Sequence, residues 1–492
     1  MRMLWCLLAL LATPALAQPF GVRVVDDATG RGVPLVRLEA VDGTFYITDS
    51  AGWVAIDDPV YTGHEVFFHI SSHGYEHPED GFGYRGQALR VTPGGRAEVR
   101  VQRLNIAERL YRLTGAGIYV HSLRLGEPVP TRQPLLNGGV VGQDTVLAHE
   151  WNDRVLWLFG DTNRLAYPLG LFHTAGAWSE PPEPDVGIDL EYMVGDHGFV
   201  RAMCPSEGEG PVWLGGLCAV DDGDGEVLVA HYSRVRGLEA LLEHGIAVFD
   251  EGDQVFDKHT TFDLERRWQA VEGHPIREGE YLLLPTPFVG ARCRATLDAV
   301  TDQDAYEAFT CLEPGASFAG AESRIERDGN GEPLWGFKAG TDPVGQMEER
   351  ELMEAGLIDR DRARFDVRDA ETGRQVRLAS GSVAWNEYRR RWIMIACESF
   401  GDRSFLGEIW YLEADDPTGP WSDAVRVVTH DRYGFYNPVH HPFLDRDGGR
   451  RIYFQGTYTQ MFEGDVAKTP RYEYNQIMYR LDLADERLRT RE

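Results

Sequence analysis

Basic residues are in short supply: 49 Lys and Arg stand against 78 Asp and Glu, leaving a net charge of −29. Such a field repels phosphate backbones and anionic lipid. It makes nucleic acid and membrane surfaces poor partners and suits a neutral substrate, or a cation held by carboxylates. Long apolar runs are also missing: beyond residue 17 no stretch is long enough to cross a bilayer. Long Ala/Leu/Glu/Lys runs are scarce as well, whereas aromatics reach 11% and glycine 54 residues, a balance that leans toward β structure. The six cysteines are scattered and form no zinc pattern. No glycine loop carries the Lys and Ser/Thr of a phosphate cradle, and no strand–turn–helix presents a nucleophilic serine. The common nucleotide and serine-hydrolase readings fall away.

What is present is a chain of 492 residues, 43% hydrophobic, long enough for two folded units. Residues 1–17 read as a signal peptide: Arg2, an apolar run from Leu4 to Leu11, then Ala15-Leu16-Ala17 ahead of Gln18. The expected location is therefore periplasmic or secreted. In that oxidising setting Cys204–Cys218 and Cys293–Cys311 are the local pairs expected to bridge, leaving Cys397 free.

From residue 20 to 103 short alternating apolar pieces (Val22-Arg23-Val24, Val36-Arg37-Leu38, Val99-Arg100-Val101) are separated by turn signals such as Asp42-Gly43 and Pro93-Gly94-Gly95. This is the spacing of a small β-sandwich. Residues 104–141 read as a connector in which Ile106–Leu113 suggests one or two helical turns. From residue 142 to 492 five segments share one plan of β run, Gly/Asp turn, β run and closing strand. Their centres are Val155–Phe159, Val227–Tyr232, Tyr281–Leu284, Arg391–Ala396 and Arg451–Phe454. Repeats of this size predict an all-β chain with a five-bladed β-propeller after the sandwich. The polar stretch 341–375 reads as a surface insertion with a short helix near Met347–Ala355.

A propeller gathers the starts of its innermost strands around a central funnel, so carboxylates there are the chemistry to seek. Asp144 opens the first repeat, and Asp161 follows the run Leu156–Phe159 directly. A carboxylate beside a core strand costs several kcal/mol unless it is bonded or faces a cavity. Glu209, between two glycines, is a third candidate. Glu398 and Glu408 flank strands of the fourth repeat and read as solvated strand ends. Tyr436-Asn437-Pro438-Val439-His440-His441-Pro442 opens the fifth repeat, where neighbouring histidines point to opposite faces and cannot easily share an ion. His173, Trp213, Trp385, Tyr436, Asn437 and His440 are the candidate substrate contacts. No metal and no cofactor is assigned. The stretches 221–226, 328–332 and 445–449 look like calcium loops but lack the ligand ladder of an EF-hand, and they read as hairpin turns.

Asp26-Asp27-Ala28-Thr29-Gly30-Arg31-Gly32-Val33-Pro34-Leu35-Val36 with Thr48-Asp49-Ser50-Ala51-Gly52-Trp53 resembles the carboxypeptidase regulatory-like, transthyretin-like β-sandwich, an appendage without chemistry of its own. Leu156-Trp157-Leu158-Phe159-Gly160-Asp161-Thr162-Asn163-Arg164, Ala384-Trp385-Asn386-Glu387-Tyr388 and Tyr436–Pro442 resemble secreted bacterial propellers akin to domain-of-unknown-function family 4185. More distantly they are similar to the five-bladed furanosidase propellers among the glycoside hydrolases. The resemblance implies hydrolysis of a furanoside-type polysaccharide by funnel carboxylates, with Asp144 and Asp161 as the pair that transfers. The acid Glu that those enzymes place on their third blade has no counterpart found in this sequence. The competing reading is a non-catalytic glycan- or protein-binding propeller, with Trp213, Trp385, Tyr436 and His440 as an aromatic platform.

Overall fold

The structure, a computed structural model, describes residues 18–167, 170–238, 240–269, 271 and 273–489. The leader read at residues 1–17 lies outside them. Among the described residues no helix is long and apolar enough to cross a membrane.

Residues 20–103 form two four-stranded sheets. One orders Trp53–Ile56, Phe20–Asp26, Arg96–Arg103 and Tyr75–Glu76; the other orders Phe45–Ile47, Arg37–Ala40, Glu65–Ser71 and Gly86–Arg90. Alternation explains the pairing. Along Arg96–Arg103 the side chains of Val99 and Val101 are buried while Glu98, Arg100 and Gln102 face solvent, the period of a strand with one wet face. The buried faces of both sheets meet in one core that includes Val22, Val24, Leu38, Phe68, Val99 and Val101.

Five antiparallel sheets of four or five strands follow, with a two-stranded ribbon of Val140–Gln143 and Thr162–Arg164 beside the first, and the chain is nearly all β. The first joins Val146–Trp151, Arg154–Phe159, Ala175–Ser179 and Glu191–Tyr192. The second joins Val212–Asp221, Glu226–Arg236, Ala240–Asp250 and Val255–Thr261. The third has five strands, Ile276–Glu278, Tyr281–Pro285, Val289–Arg294, Glu307–Thr310 and Gly336–Ala339. The fourth joins Leu378–Asn386, Arg391–Glu398, Ile409–Ala414 and Val425–Val428. In each, strands follow one another in chain order, the meander that builds a β-propeller.

The fifth sheet departs from this rule. Gly434–His440, Arg451–Thr459 and Asn475–Asp482 are completed by Glu108–Arg112, a strand from ahead of the first sheet. The stretch expected to turn as a helix is thus an extended strand, all five of its residues buried. In the fold its charges are paired: Glu108 with Arg480, and Arg109 with the carbonyls of Pro34 and His73 at 3.1 and 3.0 Å and the Ser72 hydroxyl at 2.5 Å.

Apolar clusters tie the sheets in a cycle. Leu156 and Leu214 lie in a cluster shared by the first and second sheets, Val229 and Leu282 in one shared by the second and third, and Phe309 and Trp392 in one shared by the third and fourth. Ile393 and Phe454 share a cluster of the fourth and fifth, and Tyr453 and Trp157 one of the fifth and first. Between the third and fourth sheets runs the polar insertion, carrying the helix Gln346–Glu354 where a short helix was expected.

The expected disulfides are absent: Cys204, Cys218, Cys293, Cys311 and Cys397 are all buried free thiols. Nearness in sequence misled here. Cys204 sits in the cluster between the first and second sheets and Cys218 in that between the second and third, while Cys293 and Cys311 also occupy different clusters.

Candidate functional site

Asp144 occupies the junction between Val140–Gln143 and Val146–Trp151, and Asp161 the junction between Arg154–Phe159 and Thr162–Arg164. Antiparallel pairing of Val146 with Phe159 brings these two junctions to one end of the first sheet. The aspartates lock onto each other. The Asp161 N–H donates to Asp144 Oδ1 at 2.7 Å, and the Asp144 N–H donates to the Asp161 carbonyl at 3.2 Å. Glycine permits the approach, since a Cβ at Gly160 would sit 2.3 Å from Asp144 Oδ1. On the other side a Cβ at Gly142 would lie 2.4 Å from the Tyr474 carbonyl, so the chain ahead of Asp144 runs flush against the fifth sheet.

Neighbouring sheets supply the remaining partners. The Tyr436 hydroxyl donates to Asp144 Oδ2 at 2.7 Å. Trp213, at the start of the second sheet, donates its indole N–H to Asp161 Oδ1 at 3.0 Å and to the Phe172 carbonyl at 3.0 Å. Asn437 donates its amide to Thr145 Oγ1 at 2.8 Å. Three sheets therefore converge on one acidic pair.

Burial raises the Asp144 carboxyl above its ordinary value, against the hydrogen bonds from Tyr436 and Tyr474 that favour its ionised form. Burial first, and the charge of Asp144 second, push Asp161 up to about 7, with the Trp213 hydrogen bond opposing. Burial and the two aspartates also drive the Tyr474 hydroxyl upward, so it stays a hydrogen-bond donor. Two such carboxyls resist carrying two negative charges together. Asp144 has both oxygens committed to donors, whereas Asp161 is less enclosed. Near neutral pH the pair holds an exchangeable proton, the equipment of a general acid.

Replacing Tyr436 by Phe keeps the ring and removes one donor to a buried carboxyl. The expected cost is about 2 kcal/mol of stability near pH 7, the worth of a hydrogen bond to a charged group. Chemical unfolding measures it, and an unchanged midpoint would mean that Asp144 does not depend on that hydroxyl.

Of the residues singled out in the sequence, Asp144, Asp161, Trp213, Tyr436 and Asn437 are brought together. His173 lies at the margin, its Nδ1 taking the Val212 N–H at 3.1 Å, and burial lowers its pKa so that it stays neutral. Glu209 does not join: its carboxylate is 80% exposed and lies 3.6 Å from Arg236, because the glycines around it carry the loop out over the surface. Trp385 does not join either. It stands seven residues along Leu378–Asn386, 40% exposed and packed edge-on to Trp392. His440 ends its strand buried against Asp445, with Nε2 2.8 Å from Oδ1. An extended strand advances about 3.3 Å per residue, so four residues carry His440 well past Tyr436 along their shared strand, to the level of Phe454. Glu398 and Glu408, read as solvated ends, are buried and held by Arg374 and Arg426. Tyr474 was missed, since only the fold places it beside Asp144.

The Asp–Gly stretches use their carboxylates on their own turns: Asp221 Oδ1 accepts from Gly223 N–H and Asp328 Oδ1 from Asn330 N–H, both at 2.8 Å. Among the described residues no group of three or more His, Cys, Asp or Glu side chains is arranged to hold a metal ion.

No family model and no curated protein matches this chain. Solved structures give distant likenesses. A Bacteroides ovatus protein shows a TM-score of 0.42 at 14% identity, over 70% of this chain and 86% of its own. An exo-1,5-alpha-L-arabinanase from a bovine ruminal metagenomic library shows 0.36 at 7%, over 70% and 94%. An exo-beta-1,3-galactanase from Phanerochaete chrysosporium shows 0.34 at 9%, over 71% and 64%. At such scores the likenesses carry no argument about chemistry, which rests on the residues themselves.

Proposed function

We propose that the five sheets are the blades of one β-propeller, that the two sheets before them form a transthyretin-like sandwich appended to it, and that the chain is a secreted glycan-active hydrolase. The furanoside-type polysaccharides are its proposed substrates, and Asp161 its proton donor. One observation carries the reading: a carboxyl held near a pKa of about 7 by burial and an adjacent carboxyl, at the end of a sheet where three sheets meet. The cyclic succession of apolar clusters supports the ring.

In this reading protonated Asp161 gives its proton to the glycosidic oxygen as the bond to the anomeric carbon breaks. The positive charge that develops on the sugar is favoured by the Asp144 carboxylate alongside. Water adds to the anomeric carbon and returns its proton to Asp161, so the acid is restored. Asp144, with both oxygens taken by donors, is a positioning residue that sets the acidity of Asp161. Trp213 fixes the Asp161 carboxyl and offers its ring to a bound sugar.

The purified chain is expected to release reducing sugar from at least one member of a panel of furanose polysaccharides, arabinans first. Release from none of them would reject the hydrolase. The competing reading, a binding propeller, draws on Trp213 and Tyr436 standing in the same cluster, although Trp385 and His440 do not complete its platform. Retention on a glycan matrix without any release would favour it.

A further inference from the structure

A row of aromatic rings leads away from the aspartate pair. Tyr436, whose hydroxyl holds Asp144, meets Phe462 edge-on with ring centres 5.4 Å apart. Phe462 lies 6.1 Å from Phe405, and Phe405 lies 4.6 Å from Phe400. The row then ends on a cation: the Arg377 guanidinium stands 5.0 Å from the centre of the Phe400 ring. Beyond it, between the third and fourth sheets, opens a cavity of about 630 Å³ whose lining includes Thr286, Phe288, Gln346, Arg377, Ser399 and Phe400.

Exposure separates this row from ordinary core packing. Phe400 is 61% exposed and Phe462 37%, and Met461 beside it is open as well. Isolated exposed apolar side chains need no explanation, but a continuous row ending in a cavity does. Among the described residues Arg377 is unpaired. Arg374, three residues earlier, is clamped by Glu398 at 3.0 Å, whereas among the described residues Arg377 has no ion pair and no side-chain hydrogen bond. Its guanidinium presents free donors at the mouth of the cavity.

We infer that this row and the cavity form an extended binding track for a neutral polysaccharide chain, running from the aspartate pair across the fifth and fourth sheets. The inference rests on the glycan reading above and names the form of its substrate: a long uncharged chain. Aromatic faces match the C–H faces of sugar rings. The Arg377 donors suit hydroxyl groups. A net charge of −29 disfavours a polyanion despite that single arginine.

The test is retardation in native gels containing linear arabinan or galactan as neutral polymers, with polygalacturonate as the acidic counterpart. The wild type, Asp161→Asn, Phe400→Ala/Phe462→Ala and Arg377→Gln are compared. The wild type and Asp161→Asn should be retarded by at least one neutral polymer and not by polygalacturonate. The double variant should lose affinity by about tenfold or more, and Arg377→Gln by about threefold. Thermal melting verifies that each variant is folded, and Arg377→Gln carries the test if the double variant is not. Absence of retardation of the wild type by either neutral polymer would overturn the track, as would equal retardation of the wild type and the folded variants. Retardation that depends on Phe400 and Phe462, in a protein that releases no sugar, would keep the track and sink the hydrolase. Release of sugar with retardation indifferent to those residues would do the reverse.

Discussion

Asparagine at position 161 is expected to lower glycan release by about 10²- to 10⁴-fold, the usual worth of a positioned proton donor, while the fold is retained. The amide can still accept the Trp213 indole hydrogen bond, and the backbone contacts with Asp144 do not involve the side chain of Asp161. The pH dependence follows from the same carboxyl. With Asp161 raised to about 7, the proton-bearing form dominates below that value and is lost above it, so wild-type activity should fall by about tenfold per unit on the alkaline side. Stability should move in the same direction. A carboxyl whose pKa is higher in the folded chain than in the unfolded one adds stability that is complete below its unfolded value and is lost as pH rises through its folded value. The wild type should therefore lose heat resistance between about pH 4 and about pH 7, and Asp161→Asn should lose less, ending as the more stable protein at about pH 8. Melting curves across that range read the effect. Equal pH slopes in the two proteins would contradict the buried, raised carboxyl, and equal hydrolysis would clear Asp161 of any catalytic part.

A second large effect is expected from shortening the chain. A version beginning at residue 140 lacks Glu108–Arg112 and leaves Asn475–Asp482 as an unpaired edge, with Met478 stripped of Leu110 and Tyr111. An edge so apolar invites association, and losing several buried side chains costs more than most domains can spare. That protein should aggregate or melt far below the parent. A version beginning at residue 104 keeps the strand and loses the two N-terminal sheets, freeing Arg109 from the Pro34 and His73 carbonyls. It should lose less. Comparing soluble yield and melting temperature of the two chains decides the matter, and parity between them would show that the strand contributes nothing.

Much of the fold could be read from the chain because strand periodicity is local. Val99 and Val101 alternate with charged neighbours, and Leu156–Phe159 form a run buried on both faces, so sheets were expected in those places. The strand Glu108–Arg112 was hidden for the opposite reason. Two arginines and a glutamate in five residues speak of solvent, and only partners such as Arg480 and Ser72 make their burial tolerable. The cysteines misled in the same manner, because residues near in sequence fall in different apolar clusters, as Cys204 and Cys218 do. At the site Asp161 was legible as an acid directly after an apolar run, and Asp144 as the polar start of a repeat. Tyr474 and the row from Phe462 to Phe400 were not. Their meaning comes from packing between sheets, and nothing in a single stretch records it.

The strand that completes the fifth sheet also sets an order of events as the chain is made. Glu108 and its partner Arg480 are 372 residues apart. At ordinary rates of synthesis the early strand waits roughly twenty seconds to just over a minute before its neighbour exists. During that interval the two N-terminal sheets, whose core draws only on residues already made, can fold and hold the waiting segment through Arg109. They then act as a built-in holder for an orphan edge until Asn475–Asp482, made much later, pairs with it.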